Sequence, residues 1–215
     1  MVEFVPSLAT ILAFALASFV LAITPGPDMA LFISRTVNYG RAHGVAAVLG
    51  ATSGLMVHVL LAAFGVSVLL VTAPTAFLVL KIAGALYLLW LAVGAIRQTG
   101  GLKLAEKKHA GSTLLRSYLI GIGINLTNPK VLLFFITFFP QFVSRDDPDA
   151  PFKLLFLGGE FLVVSVPIVI AIVFGAHWVA KWLVESALVR RLLNYSFAAV
   201  FAAFAAVILT AQARH

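Results

Sequence analysis

Apolar residues in this chain gather in long runs, without the strict alternation of a half-buried strand. A bilayer core of ~30 Å takes ~20 apolar residues of helix, and six runs reach that scale. The first covers 4–23 and resumes after a break at 29–37. The second covers 44–70, the third 75–96, and the fourth 118–142, again with an interruption. The fifth covers 152–179 and the sixth 192–209. This pattern predicts an all-α polytopic membrane protein, one domain over 1–215 with six transmembrane helices. Residues 1–6 carry Glu3 and no Lys or Arg, whereas a secretory signal opens on cations. The first run is therefore expected to be a retained span.

Composition narrows the class. Of 215 residues, 62% are hydrophobic and 11% charged, against about 25% charged in a soluble domain. A water-soluble globule and a disordered chain are both excluded. The absence of cysteine removes disulfides, thiolate metal sites and thiol nucleophiles. No H-E-x-x-H, Walker loop or G-x-S-x-G elbow is present, so no enzyme, metal or cofactor is expected.

The net charge is +7. Such a balance can serve nucleic acid, but in a six-span chain it follows a simpler rule. One face would hold Arg35, Arg41, Arg97, Lys103, Lys107, Lys108, Arg116, Lys181, Arg190 and Arg191. The other would hold Arg145, Lys153 and Arg214. Cations favour the cytoplasmic side, which places both termini outward and leaves the lipid bilayer, not nucleic acid, as the expected partner. Trp90, Trp178 and Trp182 fall near the inner boundary on this reading. The basic stretch 97–116 becomes a cytoplasmic linker between two three-span halves, about 1–96 and 117–215.

The two interruptions occupy matching places. Thr24-Pro25-Gly26-Pro27-Asp28 breaks the first span of one half, and Asn125-Leu126-Thr127-Asn128-Pro129-Lys130 breaks the first span of the other. Three spans per half is an odd number, so the halves enter the membrane in opposite directions, as inverted repeats with broken first helices. Proline removes a backbone donor and frees a carbonyl, which hydrocarbon cannot satisfy. Such backbone belongs beside protein or a wet cavity. Pro27 and Pro129 suit the first position of a new half-helix, with Gly26 and Asn128 as caps. Asp28 in a first turn is favoured by the helix dipole; Lys130 in the same place is disfavoured and needs an anion. Asp28, Glu160 or a substrate carboxylate could each supply it.

Other polar groups also fall within spans. Gly50, Gly54 and His58 share one stripe of the second span, where small residues admit a neighbouring helix. His58 is either an internally hydrogen-bonded histidine or a proton-relay group. Glu160 is either a pathway carboxylate or an outer-interface group, and Gln141 stands where an outer vestibule would open. Exposed small-residue faces allow a homodimer.

These motifs resemble the LysE/RhtB family of bacterial amino-acid exporters over nearly the whole chain. The likeness rests on Thr24-Pro25-Gly26-Pro27-Asp28 followed by Tyr39-Gly40-Arg41, and on Lys81-Ile82-Ala83-Gly84-Ala85-Leu86-Tyr87-Leu88-Leu89-Trp90. Asn128-Pro129-Lys130 with Phe138-Phe139-Pro140-Gln141-Phe142 completes it. The resemblance implies a proton-driven exporter in the inner membrane for neutral amino acids such as threonine, homoserine or leucine. The rival readings are export of basic amino acids or metal cations, and a membrane factor without transport. In the exporter, Pro25, Gly26, Pro27, Asp28, Asn125, Asn128, Pro129 and Lys130 are the expected site. Lys130 would hold the carboxylate, and Asp28 or carbonyls near Ile23 and Thr127 the ammonium. Without cargo, Asp28 and Lys130 are expected to pair with each other.

Overall fold

A computed structural model describes residues 5–66, 73–97, 112–143 and 147–212. Every element among them is helical: α1 Leu8–Ile23, α2 Pro27–Tyr39, α3 Arg41–Leu60, α4 Pro74–Arg97, α5 Leu114–Thr127, α6 Pro129–Leu133, α7 Ala150–Phe174, α8 Ala176–Glu185 and α9 Ala187–Gln212. A π-helical turn, Leu61–Val66, prolongs α3. A second π turn, Phe134–Phe138, and a 3₁₀ turn, Phe139–Phe142, follow α6. Pro140 explains that loosening, because it cannot donate to the carbonyl four residues back.

Local chemistry sets the ends of the key helices. Ser7 caps α1 through the Thr10 amide, and Thr113 caps α5 through the Arg116 amide. Gly40 separates α2 from α3 with φ 94°, a conformation that costs a glycine nothing. Within the described residues, Arg41–Gly65 and Ala150–Phe174 are long and apolar enough to cross a membrane alone. Two bent pairs, Leu8–Ile23 with Pro27–Tyr39 and Leu114–Thr127 with Pro129–Phe142, are long and apolar enough together, each as a broken span or a re-entrant loop. Each bends by 50°. Most of the basic linker, 98–111, lies outside the described residues, as do Arg145 and Arg214.

The fifth run ends earlier than its hydrophobicity predicts. Helix α7 stops at Phe174, and 176–185 form a separate helix after Gly175. Val179 and Ala180 on α8 pack against Met29 and Ile33 of α2, while Trp178, Lys181 and Trp182 stay exposed. A hydrophobic run shows how much apolar chain there is, but not where a neighbouring helix turns it.

Helix packing crosses between the halves. Helix α1 lies on α7, α3 on α5, and α4 on α9. Each of these contacts joins a helix from before the 98–111 stretch to one from after it. The α3–α5 seam is the closest. A β-carbon on Gly54 would sit 3.0 Å from Asn125 Oδ1, and β-carbons on Gly50 or Gly121 would collide with the facing backbone. Phenylalanines fill the centre: Phe134 contacts the rings of Phe14, Phe135, Phe138, Phe161 and Phe201.

Candidate functional site

Pro25 has no N–H, so the carbonyl four residues before it, Leu21, loses its helical donor. Thr24 ends α1 with extended backbone, which leaves its carbonyl free as well. The Lys130 ammonium takes both, donating to Leu21 O at 3.1 Å and Thr24 O at 3.0 Å. Gly26 gives it room: a β-carbon there would stand 3.2 Å from Lys130 Nζ. The second break caps itself, with Asn128 Oδ1 accepting from the Lys130 amide.

The Asn128 side chain also reaches back across the halves, its Nδ2 donating to Asp28 Oδ2 at 2.9 Å. Asn125 Nδ2 donates to the same oxygen at 3.2 Å. Each break thus sends one charged group to the other: Lys130 from the second half to the carbonyls of α1, and Asp28 from the first half to the amides around Asn128. Asp28 stands in the first turn of α2, where the helix dipole favours an anion.

This geometry corrects one expectation. Lys130 does not form an ion pair with Asp28; the salt bridge among the described residues is Lys153–Asp147, at 2.6 Å. The Leu21 and Thr24 carbonyls serve it instead. The cause is Pro25, whose missing donor exposes acceptors within reach of Nζ.

The cluster is only partly satisfied. Asp28 Oδ1 and Asn125 Oδ1 are buried and have no hydrogen-bond partner, an arrangement that costs free energy unless a donor arrives. Both residues line a cavity of about 70 Å³, with Lys130 and apolar walls from Phe32, Leu55 and Phe161. Thr52 and Ser165 add hydroxyls to that lining. A second cavity of about 400 Å³ lies on the other side of the breaks, bounded by Pro25–Pro27, Asn128–Lys130, Trp90, Arg97 and Asn194. Pro27 and Pro129 both line it, and Thr24 and Lys130 line both cavities.

Of the residues expected to act together, the eight at the breaks are brought together. His58 stands one shell outside them. It is buried, its Nε2 lies 3.3 Å from the Asn125 carbonyl, and its ring stacks on Phe135. With a carbonyl as partner, Nε2 is the donor. Glu160 lines neither cavity; both its carboxylate oxygens are buried without a partner. Gln141 lies in the 3₁₀ turn and lines neither cavity. Sequence reasoning missed Leu21, Thr52, Ser165 and Arg97. Leu21 was findable by counting four residues back from Pro25, and Ser165 by its place two residues before Pro167 inside α7. Thr52 and Arg97 carry no such mark.

Residues 19–212 match the sequence profile of the family described as LysE type translocator. The chain is 32% identical over 206 residues to a homoserine/homoserine lactone efflux protein of Salmonella typhimurium, covering 94% of this chain and 96% of that one. It is 30% identical to a leucine efflux protein of Klebsiella pneumoniae, covering 94% and 95%. A leucine efflux protein of an Enterobacter species is 29% identical, covering 90% and 92%. No solved structure matches the chain.

Proposed function

The chain belongs to the LysE type translocator family, and from that premise we propose that it exports neutral amino acids of homoserine, threonine or leucine type across the bacterial cytoplasmic membrane, driven by proton influx. The observation that carries the reading is the crossed pair of breaks: a half-buried carboxylate and a half-buried ammonium, each held by residues of the opposite half, both beside cavities. A zwitterion presents both an ammonium and a carboxylate, and each needs a partner once it leaves water. The unpartnered Asp28 and Asn125 oxygens suit the ammonium. Lys130 suits the carboxylate, for which it would exchange the Leu21 and Thr24 carbonyls.

The same carboxylate supports coupling. Asp28 can hold a proton or an incoming ammonium on its free oxygen, but not both, so a proton entering from outside would release the cargo. His58 and Glu160 are proposed to lie on the proton's route. Six spans in two inverted repeats are supported by the matching 50° bends and the reciprocal packing of α1 on α7 and α5 on α3. Among the described residues a single carboxylate, Asp28, lines the smaller cavity and none lines the larger, which favours a zwitterion over a metal cation or a basic amino acid.

The test is export from proteoliposomes loaded with an amino-acid mixture, with and without an imposed proton gradient. Gradient-dependent loss of homoserine, threonine or leucine is expected. Release of none of them, or release indifferent to the gradient, would refute the assignment.

A further inference from the structure

The two cavities differ in sign and size. The 70 Å³ space beside Asp28 is too small to enclose a whole amino acid, whereas 400 Å³ falls within the range of small-molecule sites, ~300–1,000 Å³. The larger cavity is lined by two cations, Arg97 and Lys130, and by no carboxylate among the described residues. Lys130 already gives two of its three donors to carbonyls. Arg97 ends α4 with its side chain exposed, and none of the described carboxylates forms a salt bridge with it. Its planar fork can grip a carboxylate through two parallel hydrogen bonds. Trp90 and Phe197 supply apolar wall beside it for a side chain.

We propose that this cavity is a waiting site, distinct from the Asp28 site, in which Arg97 takes the carboxylate of an α-amino acid before the ammonium reaches Asp28. The proposal rests on the exporter reading above. Lys130 and Thr24 are common to both cavities, so the partition between the sites is the ammonium held on the Leu21 and Thr24 carbonyls. A carboxylate arriving from Arg97 draws that ammonium off the carbonyls and opens the path to Asp28. The order of events is fixed by charge: carboxylate first, ammonium second.

The experiment uses the full chain in proteoliposomes, with homoserine and leucine as cargo and the carboxamide of each as competitor. The carboxamide keeps the ammonium and side chain but loses the negative charge. Wild-type protein is expected to discriminate against the carboxamide by about tenfold, the low end for a charge-assisted hydrogen bond. Arg97→Gln is expected to raise the cargo's half-saturation by about tenfold and to narrow the gap between cargo and carboxamide to about twofold. Arg97→Lys keeps most of the discrimination. An Arg97→Gln protein with unchanged half-saturation, or with equal losses for cargo and carboxamide, overturns the proposal. So does an effect that depends on the anionic lipid content of the vesicles, which would assign Arg97 to a headgroup phosphate. Wild-type vesicles that export neither amino acid would overturn the exporter reading and the waiting site with it; normal wild-type export with an indifferent Arg97→Gln removes the waiting site alone.

Discussion

Gly121 and Gly123 stand two residues apart on α5 in opposite settings, and replacing each by alanine separates seam packing from helix propensity. At Gly121 a new β-carbon collides with the Ala47 carbonyl oxygen and lies 3.0 Å from the Ala51 nitrogen, both backbone atoms of α3; at Gly123 it meets nothing within 4 Å. Ordinary contact needs ~3.5 Å, so Gly121→Ala must part the two helices by on the order of 1 Å. Overpacking of this kind costs ~1–3 kcal/mol. Gly123→Ala should gain ~0.5–1 kcal/mol from the helical backbone alone. The backbone gain is common to both variants, so the difference is the overpacking cost, roughly 1–3 kcal/mol, a gap of roughly 2–12 °C in unfolding midpoint for a chain of this length. Thermal unfolding of both variants in one detergent measures it. Export should separate them further, because Asn125 lies one turn beyond Gly121 and would shift relative to His58 and Asp28. Equal midpoints and equal export for the two variants would refute the claim that α3 and α5 meet backbone to backbone.

Lys130→Met should abolish export while costing ~1–3 kcal/mol of stability, since it leaves two buried carbonyls without a donor; export by that variant in proteoliposomes would reduce Lys130 to a structural clamp. Asp28→Asn should be milder, because an amide oxygen still accepts from Asn125 and Asn128, but gradient dependence should vanish with the titrating group. Gradient-driven transport by Asp28→Asn would move coupling to His58 or Glu160. Asn128→Ala removes a cap and a donor to Asp28 together, so a stability loss of ~1 kcal/mol should accompany a higher half-saturation for cargo. A C-terminal alkaline-phosphatase fusion should be active if the termini face outward, and inactivity alongside an active cytoplasmic reporter would reverse the proposed orientation.

Much of this protein was legible in its sequence because the bilayer enforces simple rules. Apolar run length shows where apolar helix lies, and the prolines inside a run show where it breaks, since lipid cannot supply the missing donor. The stripe Gly50-Gly54-His58 announced a close seam, and the structure places α5 there. Matching positions of the two breaks pointed to Asp28 and Lys130 as a pair of interest. Only the tertiary structure decided what each charge touches. Lys130 found carbonyls in place of Asp28, because a three-dimensional crossing set Nζ beside α1 at the one turn that Pro25 had opened. The division of the fifth run at Gly175 is marked in the sequence by the glycine alone, and the packing of α8 on Met29 and Ile33 only by the fold. Arg97 counted in the sequence as one cation among many on its face; its place beside the breaks comes from the packing of α4 against α9 and the π turn Phe134–Phe138. Sequence settles which groups cannot stay alone in a membrane, and packing settles which partner reaches them.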